Sequence, residues 1–194
     1  MSSEFPDEMP GLDLGGSTDE QGGGDDEDEE EIEHERLLVF EIGDRKYAAT
    51  VDAVRTVVEP GDMTRVPLSS AAIEGIMDLR GEITAVINPR VHFGVASSET
   101  PPELERLLIF NRPPDRQPAG IRVDRVVGVE AFPAPLFFPV DEVESESDDF
   151  RTHDDLLASV IQRFEDGAVT ERVGVIDTEA MVDASGQVAA EPIS

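Results

Sequence analysis

One short apolar run occurs twice, and that repetition limits what this chain can fold into. Leu37-Leu38-Val39-Phe40 returns as Leu107-Leu108-Ile109-Phe110 at an offset of 70. Val51-Asp52-Ala53-Val54 returns as Val123-Asp124-Arg125-Val126 at an offset of 72. The two additional residues fall in the Arg112–Pro118 loop, where insertions cost little. Val86-Ile87-Asn88 is echoed by Val175-Ile176-Asp177, and Gly167 stands where Gly81 would. Three matches in the same order indicate a duplicated unit.

Each copy reads as short β-strands. Residues 37–51 predict a hairpin about Gly43-Asp44, and 52–58 continue in β-favouring residues until Pro60-Gly61. Met63–Pro67 reads as extended linker, because the residue before proline is pushed from helical geometry. Ser69 or Ser70 is expected to cap a short helical turn. The stretch from Ile73 to Asn88 holds two apolar runs on either side of Arg80-Gly81, so Arg80 stands in a tight connection. In the second copy, Ala131–Pro139 cannot be a central strand because of its prolines. Val140–Phe150 reads as an acidic loop, Leu156–Phe164 as a strand by the repeat, and Thr178–Val182 as a final helix capped by Asp177. About five strands per copy predict two small, nearly closed barrels, since closure removes exposed edges. The expected division is a disordered acidic tail over 1–35, a first barrel over about 36–95, a second over about 103–183, and a frayed end over 184–194. The final segment can pack back on the first barrel.

Charge is unevenly spread. The net charge is −29. Residues 1–35 hold 15 acidic and no basic side chains, and Asp25–Glu31 is unbroken acid. Such a segment cannot bury enough apolar surface to offset chain entropy. Lys46 is the single lysine, and asparagine occurs only at 88 and 111. A carboxylate-rich surface with almost no lysine fits a halophilic solvent, where molar salt screens charges beyond roughly 3 Å. It argues against nucleic-acid binding, which needs cations facing phosphate.

Catalytic patterns are not found. The chain has no cysteine, which excludes disulfides and thiolate metal sites. Histidines occur at 34, 92 and 153 without metal-ligand spacing. No phosphate-binding Gly-Lys-Ser/Thr loop and no Gly-x-Ser-x-Gly elbow appears. The start of the chain lacks the basic and apolar regions of a signal peptide, and no apolar run nears the ~20 residues that span a bilayer. A non-enzymatic, cytoplasmic binding protein without cofactors is expected, with the groove between barrels as the natural site.

The residues Leu38-Val39-Phe40, Gly43-Asp44, Tyr47, Val51, Val54, Val57, Arg65-Val66-Pro67 and Gly75-Ile76-Met77-Asp78-Leu79-Arg80-Gly81 with Val86-Ile87 resemble the CheW family. So does Gly120-Ile121-Arg122-Val123-Asp124-Arg125-Val126. The resemblance covers about residues 36–183. It implies an all-β protein of two SH3-like five-stranded barrels around a shared hydrophobic core, with short helices. It further implies an adaptor bridging the histidine kinase CheA, through the kinase's own CheW-like domain, to the cytoplasmic tips of chemoreceptors, peripheral to membrane receptor arrays. The alternatives are a CheW-like competitor that binds receptors without coupling the kinase, and a module that binds a small ligand. By motif position, Val51, Val54, Thr56, Val57 and Arg80 would line or adjoin the receptor groove. The family often has Glu where Thr56 stands, and Asp-Leu where this chain has Asn88-Pro89. Arg80 has two readings, a fork onto a partner's carbonyl or carboxylate, or a brace between the barrels.

Self-repulsion of the acidic body predicts salt-dependent folding. A circular dichroism titration from molar to millimolar KCl should show partial loss of β-structure at the low end; an unchanged spectrum contradicts the expectation.

Overall fold

The two apolar runs are buried on both faces, and that property organises the chain. The structure, a computed structural model, describes residues 32–96, 100–143 and 155–187. The acidic tail before Ile32, most of the acidic loop after Val143 and the end beyond Gln187 lie outside the described residues. Eleven strands and two helices are formed among those described. They are β1 (His34–Ile42), β2 (Arg45–Thr50), β3 (Val54–Val58), β4 (Ile73–Leu79), β5 (Glu82–Ile87), α1 (Pro89–Phe93), β6 (Arg106–Phe110), β7 (Ala119–Val123), β8 (Arg125–Pro133), β9 (Phe137–Phe138), β10 (Leu157–Glu165), β11 (Ala168–Ile176) and α2 (Thr178–Gln187).

The strands make two curled sheets, ordered β8-β1-β2-β11-β10-β9 and β3-β6-β7-β5-β4. Apart from β9, the second order repeats the first strand by strand: β1 matches β6, β2 matches β7, β8 matches β3, β11 matches β5 and β10 matches β4. Register carries the match to single residues. Phe40 lies opposite Val126 and Leu38 opposite Val129, as Phe110 lies opposite Val54 and Leu108 opposite Val57. In each sheet one pairing is parallel, β11 with β2 and β5 with β7.

The barrels are therefore not consecutive halves. The expectation of one barrel from 36–95 and another from 103–183 differs from the observed strand order. The hairpin β1–β2 pairs with β8 and β11, and the hairpin β6–β7 pairs with β3 and β5. Each copy of the repeat lends its opening hairpin to the strands of the other. The chain crosses between sheets at Val51–Ala53, a short 3-10 turn, and at Asp124, the one residue between β7 and β8.

Alternation along the repeated runs explains their unbroken apolar character. Leu37 and Val39 join Ala48, Phe132, Ile161, Val173 and Val175 inside the first barrel. Leu107 and Ile109 join Met77 and Val86 inside the second. The alternate residues, Leu38, Phe40, Leu108 and Phe110, meet in the core shared by the two sheets, with Tyr47 and Phe93 stacked at 4.6 Å. A strand with one wet face would carry polar residues at half of these positions.

Local chemistry sets the ends of the elements. Asn88 caps α1 by accepting from the Arg90 N–H at 3.1 Å, with Pro89 in the first turn, and Gly94 ends the helix in left-handed geometry. Asp177 caps α2 through Glu179 and Ala180. This helix extends to Gln187, beyond the expected Val182, because Met181 is buried in the shared core and Ser185 is buried against Met181 and His92. The expected helical turn at Ser69 and Ser70 is instead a tight turn in which Ser70 accepts from the Ala72 N–H. The proline-rich segment lies at the margins of the first sheet, as the end of β8 and the short β9.

A buried ion pair fastens the exchange. Asp124 is 2% exposed; it accepts from Gly43 N–H in the β1–β2 turn at 2.5 Å and pairs with Arg90 of α1. Its own N–H donates to Glu41 O at 2.9 Å. The loop between β6 and β7 meets α2 through a pair of its own: Arg112, its side chain nearly buried, pairs with Glu179 and donates to Gln117 O. On the first sheet Lys46 donates to Glu171, which also accepts from Arg163. The Lys46 hydrogen bond is the chief reason the Glu171 carboxyl is held below its ordinary pKa, against an opposing desolvation effect.

Two outcomes follow from these contacts. Asp124→Ala leaves Arg90 without its carboxylate and should cost roughly 3–5 kcal/mol, read by denaturant unfolding in molar KCl. Glu171 has a lowered folded-state pKa, so its contribution is present above the unfolded carboxylate value and lost as pH falls through the folded one. An acid titration of stability should therefore be shallower in Glu171→Gln than in the unsubstituted protein across that acidic window.

Candidate functional site

Opposed residues in an antiparallel pair share a face, so register tells which side chains look toward the other sheet. Leu108 and Phe110 face the shared core. Val57 and Val54, their partners on β3, face the same way. Val54 is half-buried and packs on that core, while Val57, further along the strand, is 38% exposed. Val57 thus sits at the exposed margin of the shared core. Thr56 is opposite Ile109, which points into the second barrel. It lies half-buried on the other face of β3, away from the side carrying Val54 and Val57. Val51 begins the crossing turn before β3 and is 37% exposed.

Ile83 belongs with this group although the sequence reading passed over it. Its alternates Ala85 and Ile87 pack against the shared core. Ile83 therefore lies on the same face of β5, and it is 51% exposed. The signal was present in the sequence as the alternation Ile83, Ala85, Ile87.

Arg80 occupies the first turn position between β4 and β5. Its φ is 56° and that of Gly81 is 88°. Positive φ at both central residues is the geometry that matches the twist of a two-residue hairpin. Asp78 fixes the turn by accepting from Gly81 N–H at 2.6 Å. The Arg80 side chain is exposed, and among the described residues it has no hydrogen-bond or ion-pair partner. It does not brace the barrels. The equivalent turn of the other repeat holds Asp166, φ 51°, and Gly167, φ 79°. The two matching tips thus have opposite charge.

A second arginine links the parts. Arg55, at the irregularity of β3, pairs with Glu82 at 2.7 Å and ties this edge strand to the base of the Arg80 turn. Val57, Ile83 and Arg80 are exposed apolar and cationic groups on β3, on β5 and in the turn before β5, which the Arg55–Glu82 pair ties together, and Val54 is the half-buried neighbour of Val57 on the same face. No group of three or more potential metal ligands converges among the described residues. Nor is any helix there long and apolar enough to cross a membrane.

Comparison with known proteins agrees with this architecture. The model of the CheW-like domain family matches residues 36–185. The chain is 37% identical over 93 residues to the chemotaxis protein CheW of Thermotoga maritima, covering 48% of this chain and 59% of that protein. It is 32% identical over 102 residues to the chemotaxis protein CheW of Treponema pallidum, covering 51% and 59%. The aligned region thus spans less than two thirds of either relative. The crystal structure of the scaffolding protein TtCheW from Thermoanaerobacter tengcongensis superposes with a TM-score of 0.62 at 21% identity, over 75% of this chain and 86% of that one.

Proposed function

This chain belongs to the CheW-like domain family, and we propose that it serves as a non-enzymatic adaptor in chemotaxis signalling. In this reading it couples chemoreceptor cytoplasmic tips to the histidine kinase CheA. The observation that carries the reading is that Val57 and Ile83 are exposed at the margin of the shared core and that the Arg80 guanidinium, on the turn before β5, has no partner among the described residues. An amphipathic helix laid along the groove would cover the two apolar side chains. Arg80 would donate to a carbonyl or carboxylate on that helix, a bidentate geometry that lysine does not reproduce. Val54 supports the surface from beneath, and Val51 extends it. Thr56, on the opposite face, would act through the shape of β3. The kinase would dock on a different face of the barrels, leaving the groove open to the receptor.

The test is a pull-down in molar KCl with kinase and receptor probed separately, using the unsubstituted protein and Arg80→Ala. Arg80 has no hydrogen-bond or ion-pair partner among the described residues, so the variant should keep its stability within about 0.5 kcal/mol. It should retain kinase and lose receptor by on the order of tenfold or more. Failure of the unsubstituted protein to capture either partner would remove the adaptor reading. Capture of receptor without kinase would favour a competitor instead.

A further inference from the structure

Arg55 and Glu82 join two strands that share no backbone bond. The sheet order is β3-β6-β7-β5-β4, so β6 and β7 stand between β3 and β5. The sheet curls until Arg55 Nη2 meets Glu82 Oε2 at 2.7 Å. Val57 lies on one side of this closure, and Ile83 and the Arg80 turn lie on the other. A partner helix that covers all three must span the closure. Its fit then depends on how far apart the two sides stand.

Each side is held within itself. On the β5 side, Ala85, Val86 and Ile87 pair with β7, and Gln117 Nε2 donates to Ile83 O at 2.6 Å. Asp78 fixes the Arg80 turn through Gly81 N–H. Glu82 stands between that turn and Ile83, so a contact that holds Glu82 holds both. On the β3 side, Thr56, Val57 and Val58 pair with β6. Arg55 is the extra residue of the irregularity, between Val54 opposite Phe110 and Thr56 opposite Ile109. A bulge re-aims its extra side chain, and here that side chain reaches β5. Further along, the chain after β3 is joined to β4 by backbone, where Thr64 and Ile76 exchange hydrogen bonds of 2.8 and 2.9 Å. Gly75 permits that approach, since a Cβ there would sit 2.7 Å from Thr64 O. Between β3 and β5 themselves, the join among the described residues is the ion pair.

Magnitudes separate this role from general stability. The two side chains are 39% and 50% exposed, and an exposed pair adds little to folding. Molar salt still leaves interactions within roughly 3 Å, and the pair lies inside that length. We propose that Arg55 and Glu82 are positioning residues of the receptor surface: they touch no partner, and they set the separation of Val57 from Ile83 and Arg80. The receptor part of this proposal rests on the adaptor reading; the separation does not.

The test reads separation and affinity independently, on the full chain in molar KCl. The sequence has no cysteine, so spin labels on Val57→Cys and Arg80→Cys report the separation by pulsed electron paramagnetic resonance without any partner. Adding Arg55→Gln should broaden the distance distribution, and the exchange of Arg55→Glu with Glu82→Arg should narrow it again. On the unlabelled chain, Arg55→Gln and Glu82→Gln should each weaken receptor binding by about three- to fivefold. Kinase binding and the melting midpoint should stay where they are, and the exchange should restore the receptor. Arg55→Gln should cost less in the Arg80→Ala background than alone. An unchanged distance distribution overturns the proposal. So does an exchange that recovers the distances but not the affinity, because Arg55 or Glu82 would then touch the partner directly. If the unsubstituted protein captures no receptor, the adaptor reading falls, and the distances alone decide whether the pair sets this surface.

Discussion

Asp124 joins three pieces of chain that the sequence keeps far apart. Its carboxylate receives the turn of the first hairpin at Gly43 and the first helix at Arg90, and its backbone sits at the crossing from the second sheet to the first. A carboxylate this deeply buried is tolerated only because both oxygens are satisfied. The same contact holds the turn of the first hairpin against the first helix. The two opening hairpins are nearly interchangeable in their apolar residues, since each supplies one face to a barrel interior and the other to the shared core. Hydrophobic burial alone would accept either hairpin in either sheet. Polar contacts with a definite sign do not: Asp124 with Arg90 in one place, Arg112 with Glu179 in the other.

The division of labour between burial and charge extends to the surface. Lys46, the single lysine, is used against Glu171 on the parallel pair that β2 forms with β11. Most described arginines likewise lie against carboxylates of neighbouring strands. Among the described residues Arg80 is one of the arginines whose side chain has no hydrogen-bond or ion-pair partner, and it stands on a tight turn of positive φ.

Much of the architecture was legible in the residues. The duplicated apolar runs gave the repeat, β-branched stretches gave the strands, and Gly81 and Gly167 marked the matching hairpin turns. Proline placed the Ala131–Pro139 segment at sheet margins. What could not be read was the exchange of hairpins, because local pattern says that a strand is buried on both faces but not whose neighbour it is. The end of the last helix was missed because Met181 and Ser185 are held by tertiary contacts and not by propensity. Alternation alone does not tell that Val54 and Val57 share one face of β3 and Thr56 the other, because the irregularity between Val54 and Thr56 shifts the register of β3 by one residue.

The exchanged hairpins also govern the order in which the molecule can assemble during synthesis. The first hairpin leaves the ribosome early, yet both strands that flank it, β8 and β11, follow the whole of the second sheet; Lys46 and Glu171 are separated by 125 residues. At ordinary elongation rates that interval is on the order of ten seconds. The second sheet is complete once β7 has emerged, so it can close while the first hairpin still waits with both edges unpaired. The nascent chain thus has a built-in interval of exposure, and the acidic residues around its first hairpin, which repel neighbouring nascent chains, act during that interval as well as in the finished fold.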